Sequence, residues 1–328
     1  MVSNADSKKK FPKRELNWPK VLFYIHLNVL GLYGLFVLFT NTFFLTILFT
    51  FVLSGFGALG VTAGSHRLWA HQTYTANKAL KIFLMICQTL VGQGSIYNWV
   101  RLHRLHHKKF GTPEDPLYSG KDFFSAHVRA QLENLSPEQE KDLEEIDMKD
   151  LEEDKIVMFQ KRWYWLLFLV CQVLLPINSP LEYWGDSVPA ALFVAFSLRY
   201  LITLNIAWLV NSAHFIWALN SNFKPSDSNS IFIITKTYWP QYHYLLPCDY
   251  QTGEFGDYGA DLTTIWIRIF AAMGNATNLK TITSEAVRVG LTNAVETDGD
   301  VVECIKSAAA VKQGELPNDH YLNASKFM

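Results

Sequence analysis

Cysteine is scarce in this chain of 328 residues, with four in all and no CxxC spacing. Cys87 and Cys171 lie inside apolar stretches, while Cys248 and Cys304 stand far apart, which argues against a disulfide framework or a cysteine-based zinc finger. An excess of charge of either sign is also lacking. Lysine and arginine number 29 against 30 aspartate and glutamate, a net charge of −1, so nothing calls for a nucleic-acid partner. The first apolar run lacks a small-residue cleavage signature and a second run follows almost at once, which argues against a secretory signal peptide. No internal repeat stands out beyond a pair of apolar hairpins.

What the chain has in abundance is apolar surface, 49% of its residues, and it is bunched. Residues 22–39 read LFYIHLNVLGLYGLFVLF, and 43–63 follow with no charge at all. A helix needs roughly 20 residues to cross a hydrocarbon core of about 30 Å, so both runs predict spans. A second pair, 163–177 and 188–210, repeats the arrangement, although Arg199 interrupts the fourth run and the third is short. The expected fold is therefore mainly α, with four transmembrane helices in two hairpins and a helical cap carrying a histidine-rich site.

Orientation follows from basic residues in short flanks. Lys8, Lys9, Lys10, Lys13, Arg14 and Lys20 precede the first span, while the links 40–42 and 178–187 have none. Both termini and the 64–162 segment are expected to face the cytosol. Within that segment 80–91 predicts one more apolar helix, too short to cross. The stretch 132–154, ENLSPEQEKDLEEIDMKDLEEDK, predicts a solvated helix or loop.

The histidines carry the chemistry. Ten occur, and five fall in two groups beside the membrane runs: HRLWAH, with His66 and His71, and HRLHH, with His103, His106 and His107. Positions three and four apart share a helix face, so His103 can point with His106 and His107. His66 and His71, five apart, sit roughly 140° apart on an ideal helix, and their convergence requires a helix end or an irregular turn. Neutral imidazole suits iron, copper, nickel and zinc, and many imidazoles with open positions suit redox iron. A zinc hydrolase needs only three protein ligands, fewer than are gathered here. His26, His127 and His320 read as core, interfacial or surface residues.

GVTAGSHRLWAH (60–71), NWVRLHRLHHKKFGTPEDPLYS (98–119), KIVMFQKRWYW (155–165) and NIAWLVNSAH (205–214) resemble the membrane acyl-CoA desaturases of the stearoyl-CoA delta-9 type. The match runs from about Trp18 to Gly290, which implies a tail at 1–17, a membrane desaturase-like domain at 18–290 and a second tail at 291–328. The resemblance implies an endoplasmic-reticulum protein whose histidines hold two irons. It further implies desaturation of a saturated fatty acyl-CoA with O2 and electrons from cytochrome b5 and its reductase, in contact with membrane lipid. A methylene group has neither useful acidity nor a leaving group, so acid-base and nucleophilic catalysis have nothing to work on, and a metal must carry the hard step. By the same resemblance Arg101, Lys161 and Arg162 are candidates for the phosphates of coenzyme A.

The sequence departs from the family at three ligand positions. The family's NSAAH reads NSAHF here: Asn211, which in the family holds a metal-bound water, is kept, but Phe215 occupies the ligand position. His214 sits one residue earlier, a rotation of about 100°, and serves only after local rewinding. The family's HNYHH is answered by PQYHY, with His243 kept and Pro240 and Tyr244 in place of imidazoles. Six of nine family histidines match: His66, His71, His103, His106, His107 and His243. Leu102 replaces a further family aspartate near the expected coenzyme A site. Two readings follow, an acyl-CoA desaturase with an altered centre, or a catalytically impaired relative that binds acyl-CoA or lipid. A fatty-acid hydroxylase shares the histidine economy but not these sequence contexts.

Overall fold

Side-chain caps and left-handed turns, more than hydropathy, decide where the helices of this protein start and stop. The computed structural model describes residues 14–110, 112–117, 122–213, 243–244, 246–252, 259 and 261–315. They fall into two compact units, 1–65 with 82–212, and 66–81 with 213–328. Four helices are long and apolar enough to cross a membrane: Trp18–Thr40, Phe44–Ala70, Lys155–Trp184 and Ala190–Ser212. Each of the four runs seen in the sequence is thus a helix of spanning length, and the protein is a mainly helical membrane protein.

In the first unit, α1 (Trp18–Thr40) begins where the Asn17 side chain accepts from the Lys20 N–H at 3.1 Å, with Pro19 in the first turn, where its missing donor costs nothing. Two glycines let α1 pack closely. A Cβ at Gly34 would stand 2.0 Å from the carbonyl oxygen of Phe193, and one at Gly31 would stand 2.7 Å from the Leu201 side chain. Small residues at such crossings are how membrane helices gain contact without a hydrophobic driving force. The partner is a span that starts with the wide-turned segment Ala190–Leu198 and continues as α10 (Arg199–Ser212).

The third span is much longer than the sequence suggests. It starts as α8 (Lys155–Phe168), because Asp154 caps the Ile156 N–H at 3.0 Å, passes through a wide-turned segment Leu169–Leu174, and ends as α9 (Leu175–Trp184) at Gly185 in the left-handed conformation. Proline cannot donate to the helix ladder, and the wide segment precedes Pro176 and Pro180. Arg199 does not break the fourth span. Its buried guanidinium donates to the carbonyls of Leu90 at 2.8 Å and Gln172 at 3.1 Å and to Gln172 Oε1 at 2.6 Å, so the charge is hydrogen-bonded inside the bundle. At the short links, Asp186 accepts from the Phe43 N–H at 3.0 Å and from the Thr46 hydroxyl, tying the two hairpins together.

Beyond the spans, α2 (Phe44–Leu59) leads into a π-helical segment, Gly60–Ala70, and α3 (Lys78–Thr89) and α4 (Ile96–Lys109) follow. The short α5 (Ala130–Leu132) follows a further wide turn, Ser125–Arg129. The charge-dense stretch is ordered into α6 (Pro137–Glu144) and α7 (Lys149–Glu153). Ser136 and Gln139 form a reciprocal capping box, and Lys109–Asp142 and Arg104–Asp150 ion pairs at 2.7 and 2.6 Å hold these helices to α4. In the second unit, β1 (Thr75–Ala76) pairs antiparallel with β2 (Ala276–Thr277). Between these strands in sequence lies α11 (Leu262–Ala272), and after them α12 (Ser284–Thr297) and α13 (Val301–Glu315) pack on a core of Leu246, Ile282, Val287 and Ile305.

Candidate functional site

The π-helical segment Gly60–Ala70 resolves the spacing problem of HRLWAH. In a π-helix each N–H bonds the carbonyl five residues back, so positions five apart share a face. The His71 N–H lies 3.0 Å from the His66 carbonyl oxygen, and the two rings stand 4.7 Å apart between centroids. His243 completes the group within the second unit. Its ring lies 4.9 Å from His66 and 5.0 Å from His71, and the Nε2 atoms of His66 and His243 are 3.2 Å apart. One donor nitrogen from each of these three residues lies within 4.8 Å of the others. Both His66 and His243 are buried, and imidazoles this close, away from water, would repel if charged.

Two further devices hold this group. Buried Arg67, next to His66, donates to the Tyr250 carbonyl at 3.0 Å, to Thr264 Oγ1 at 2.9 Å and to Asp261 at 2.9 Å, so HRLWAH is pinned to the segment after His243. Asp249 accepts from the Gln251 N–H at 3.0 Å and the Thr281 hydroxyl at 3.3 Å, fixing the Pro-x-Asp-Tyr turn that follows. Tyr244 sits directly beside the group, its ring 5.5 Å from that of His243. His214, Phe215 and Pro240 lie outside the described residues.

In the first unit, α4 is capped by Ser95, which accepts from the Asn98 N–H at 3.3 Å, and within its HRLHH stretch His103 and His106 are buried and His107 is half-buried. The His103 ring stacks on Trp99 at 4.8 Å and lies 4.7 Å from that of His107, and donor nitrogens of His103 and His107 come within 4.8 Å. Asn211 Oδ1 accepts from His103 Nδ1 at 2.8 Å. His106 stands somewhat apart, its ring 5.8 and 5.7 Å from those of His103 and His107, and its Nδ1 donates to both oxygens of Asp115 at 2.8 and 2.9 Å. A carboxylate or carbonyl on one ring nitrogen fixes the tautomer and leaves the other nitrogen as a basic metal donor. Sequence reasoning does not single out Asp115. Its signal is an acid in a proline-bounded turn just after a histidine box, which only folding brings back to His106.

The remaining site candidates sit as follows. Lys161 Nζ lies 3.3 Å above the Tyr97 ring, Arg101 Nε donates to the Leu143 carbonyl at 2.9 Å, and Arg162 lies 5.9 Å from the Trp163 ring. His127 is a satisfied core residue, bonded to Ser212 at 2.8 Å and Asn205 at 3.1 Å, and burial lowers its pKa from the ordinary 6.5. His26 is bonded to the Leu22 carbonyl at 2.6 Å on the exposed side of α1. His320 lies outside the described residues.

The donor chemistry, neutral imidazoles with carboxylate or amide partners on the far nitrogen, fits iron. A family model described as fatty acid desaturase matches residues 42–253. An acyl-CoA Delta-9 desaturase of Acheta domesticus is 39% identical over 274 residues, covering 82% of this chain and 76% of its own length. An acyl-CoA Delta-12 desaturase of Tribolium castaneum is 37% identical over 291 residues, covering 87% and 81%. A stearoyl-CoA desaturase of Sus scrofa is 36% identical over 280 residues, covering 84% and 77%. With a family model over well more than half its length and relatives at this identity along most of both chains, the chain belongs to the fatty acid desaturase family.

Proposed function

We propose that this protein is an acyl-CoA desaturase of the endoplasmic-reticulum membrane, with both termini in the cytosol, that places a double bond in a saturated fatty acyl-CoA using O2 and cytochrome b5 electrons. The observation that carries this reading is the group of buried His66, half-buried His71 and buried His243, the first two brought to one face by a π-helical segment. By resemblance His66, His71, His103, His106, His107 and His243 hold iron, with Asn211 assisting. Bound iron supplies the oxidising power that an unactivated C–H bond requires.

The protein's own part is to hold those donors ready. Asp115 and Asn211 fix the tautomers of His106 and His103, Trp99 locks the His103 ring by stacking, and Arg67 fixes the chain around His66. Lys161 remains the coenzyme A candidate with the clearest structural setting, an ammonium held over an aromatic face. The relatives act at different carbons by their names, so the position of attack is left to measurement.

Expression in a yeast lacking its own desaturase tests the reading. Growth without added oleate, with new monounsaturated acids by gas chromatography, is the expected result. Membrane-inserted protein that gives neither would refute it in favour of a lipid-binding relative without turnover.

A further inference from the structure

The residues just before the first span do more than carry charge to the membrane surface. Within the first unit they run antiparallel to 132–134. The Asn17 N–H donates to the Leu132 carbonyl at 2.8 Å, the Asn134 N–H to the Glu15 carbonyl at 2.8 Å, and Asn17 Nδ2 to Asn134 Oδ1 at 2.7 Å. Leu16 and Glu133 form an isolated bridge between these bonds. This strap leads the Arg14 side chain inward, where it is 4% exposed. Arginine is seldom so buried unless its donors are met.

The guanidinium acts as a two-sided clamp. Nη1 donates to the Pro116 carbonyl at 2.9 Å, while Nε donates to the Asn134 carbonyl at 2.9 Å and Nη2 to the Ala130 carbonyl at 3.2 Å. Buried Glu133 faces it at 3.6 Å and is itself paired with Arg129 at 2.6 Å. Burial lowers the Arg14 pKa from 12.5, and the carboxylates of Glu133 and Asp115 oppose that shift, so the group stays charged. Pro116 directly follows Asp115, whose two oxygens accept from His106 Nδ1. The same turn is also held by Gln139 Nε2, which reaches the Glu114 and Asp115 carbonyls at 3.3 and 3.4 Å. The charge-assisted bond from Arg14 is shorter and stronger than these neutral ones.

We propose that Arg14 is a positioning residue for the metal centre: by clamping Pro116 to 130–134 it holds the Asp115 carboxylate against His106. The segment before the first span is thereby part of the support of that donor. The inference rests on the reading of His106 as an iron donor. Reaching two chain segments at once needs a planar fork rather than a point charge. Arg14→Lys keeps the positive charge before the first span, and with it the orientation in the membrane, but loses the fork.

The parent, Arg14→Lys, Asp115→Asn and the double variant, each full-length in phosphatidylcholine nanodiscs, form a cycle read by iron release to a chelator. Arg14→Lys is expected to release iron about tenfold faster than the parent. Added to Asp115→Asn it is expected to change release by less than about twofold, because the clamp acts through Asp115. The same factor in both backgrounds would mean general loosening, and no change in either would leave Arg14 with the strap alone; either result overturns the proposal. A second measurement needs no metal. In iron-free protein carrying isotope-labelled histidine, the nuclear magnetic resonance signal of the His106 Nδ1 proton is assigned by its shift in Asp115→Asn. It is expected to exchange with water faster in Arg14→Lys, and an unchanged rate would also overturn the proposal. A parent that takes up no iron would sink the desaturase reading, while the proton measurement still judges Arg14. Glu133→Gln leaves the guanidinium in place with a weaker hold, and stands in if Arg14→Lys fails to insert. It is expected to speed both iron release and proton exchange, and parent-like values in both would overturn the proposal.

Discussion

Asp115 is a residue whose role is set by a distance that no spacing rule contains. It is buried, accepts from His106 Nδ1 with both oxygens, and also accepts from the Leu117 N–H at 2.9 Å. Asp115→Asn keeps the shape and the Leu117 bond but removes the charge that raises the basicity of the imidazole. Loss of such a partner typically costs about 10–100-fold in metal affinity. The expected outcome is normal insertion and gel-filtration behaviour with faster iron loss to a chelator, followed by plasma emission spectrometry. An Asn variant that keeps iron as the parent does would show Asp115 to be a turn residue only. The imidazoles themselves are legible in the sequence, because three- and four-residue spacing is a local property. Asp115 is not, because a turn outside the helix carries it back.

At the scale of elements, the sequence announces apolar runs well and their ends poorly. The third span reads as 163–177 because Lys161 and Arg162 dilute the apolar run, yet Asp154 and Gly185 set its limits. The irregular turn demanded by His66 and His71 is foreseeable from spacing, but its form, a π-helical segment continuous with a membrane helix, is not. Helix crossings are likewise invisible in hydropathy and turn on single glycines. Gly34→Ala is expected to destabilise by about 1–3 kcal/mol, since overpacking forces backbone apart and the Cβ would meet the Phe193 carbonyl. Gly55→Ala meets nothing within 4 Å and is the control, expected within about 0.5 kcal/mol of the parent. Thermal unfolding in detergent, read by fluorescence-detected gel filtration, separates the two. Equal losses would mean that the α1 crossing is loose.

For the whole molecule, family membership and the four spans are legible because motifs and apolar runs occur in order along most of the chain. The division into two compact units is not, because residues 66–81 join 213–328 across a long stretch of sequence. Metal content depends on ligand positions spread over that same length. The parent is expected to bind well under two irons per chain, because Phe215 and Pro240 offer no ligand and the Tyr244 ring reaches differently from an imidazole. Restoring histidine together at Phe215, Pro240 and Tyr244 is expected to raise the iron content. His243 is already in place beside Tyr244 with Arg67 and Asp249 fixing the chain around it, so at least that part of the site needs no rebuilding. Two firmly bound irons in the unaltered protein, measured by plasma emission spectrometry against protein mass, would sink the expectation of a reduced centre. An unchanged content in the triple variant would mean that side chains have repacked into the space of the lost ligands.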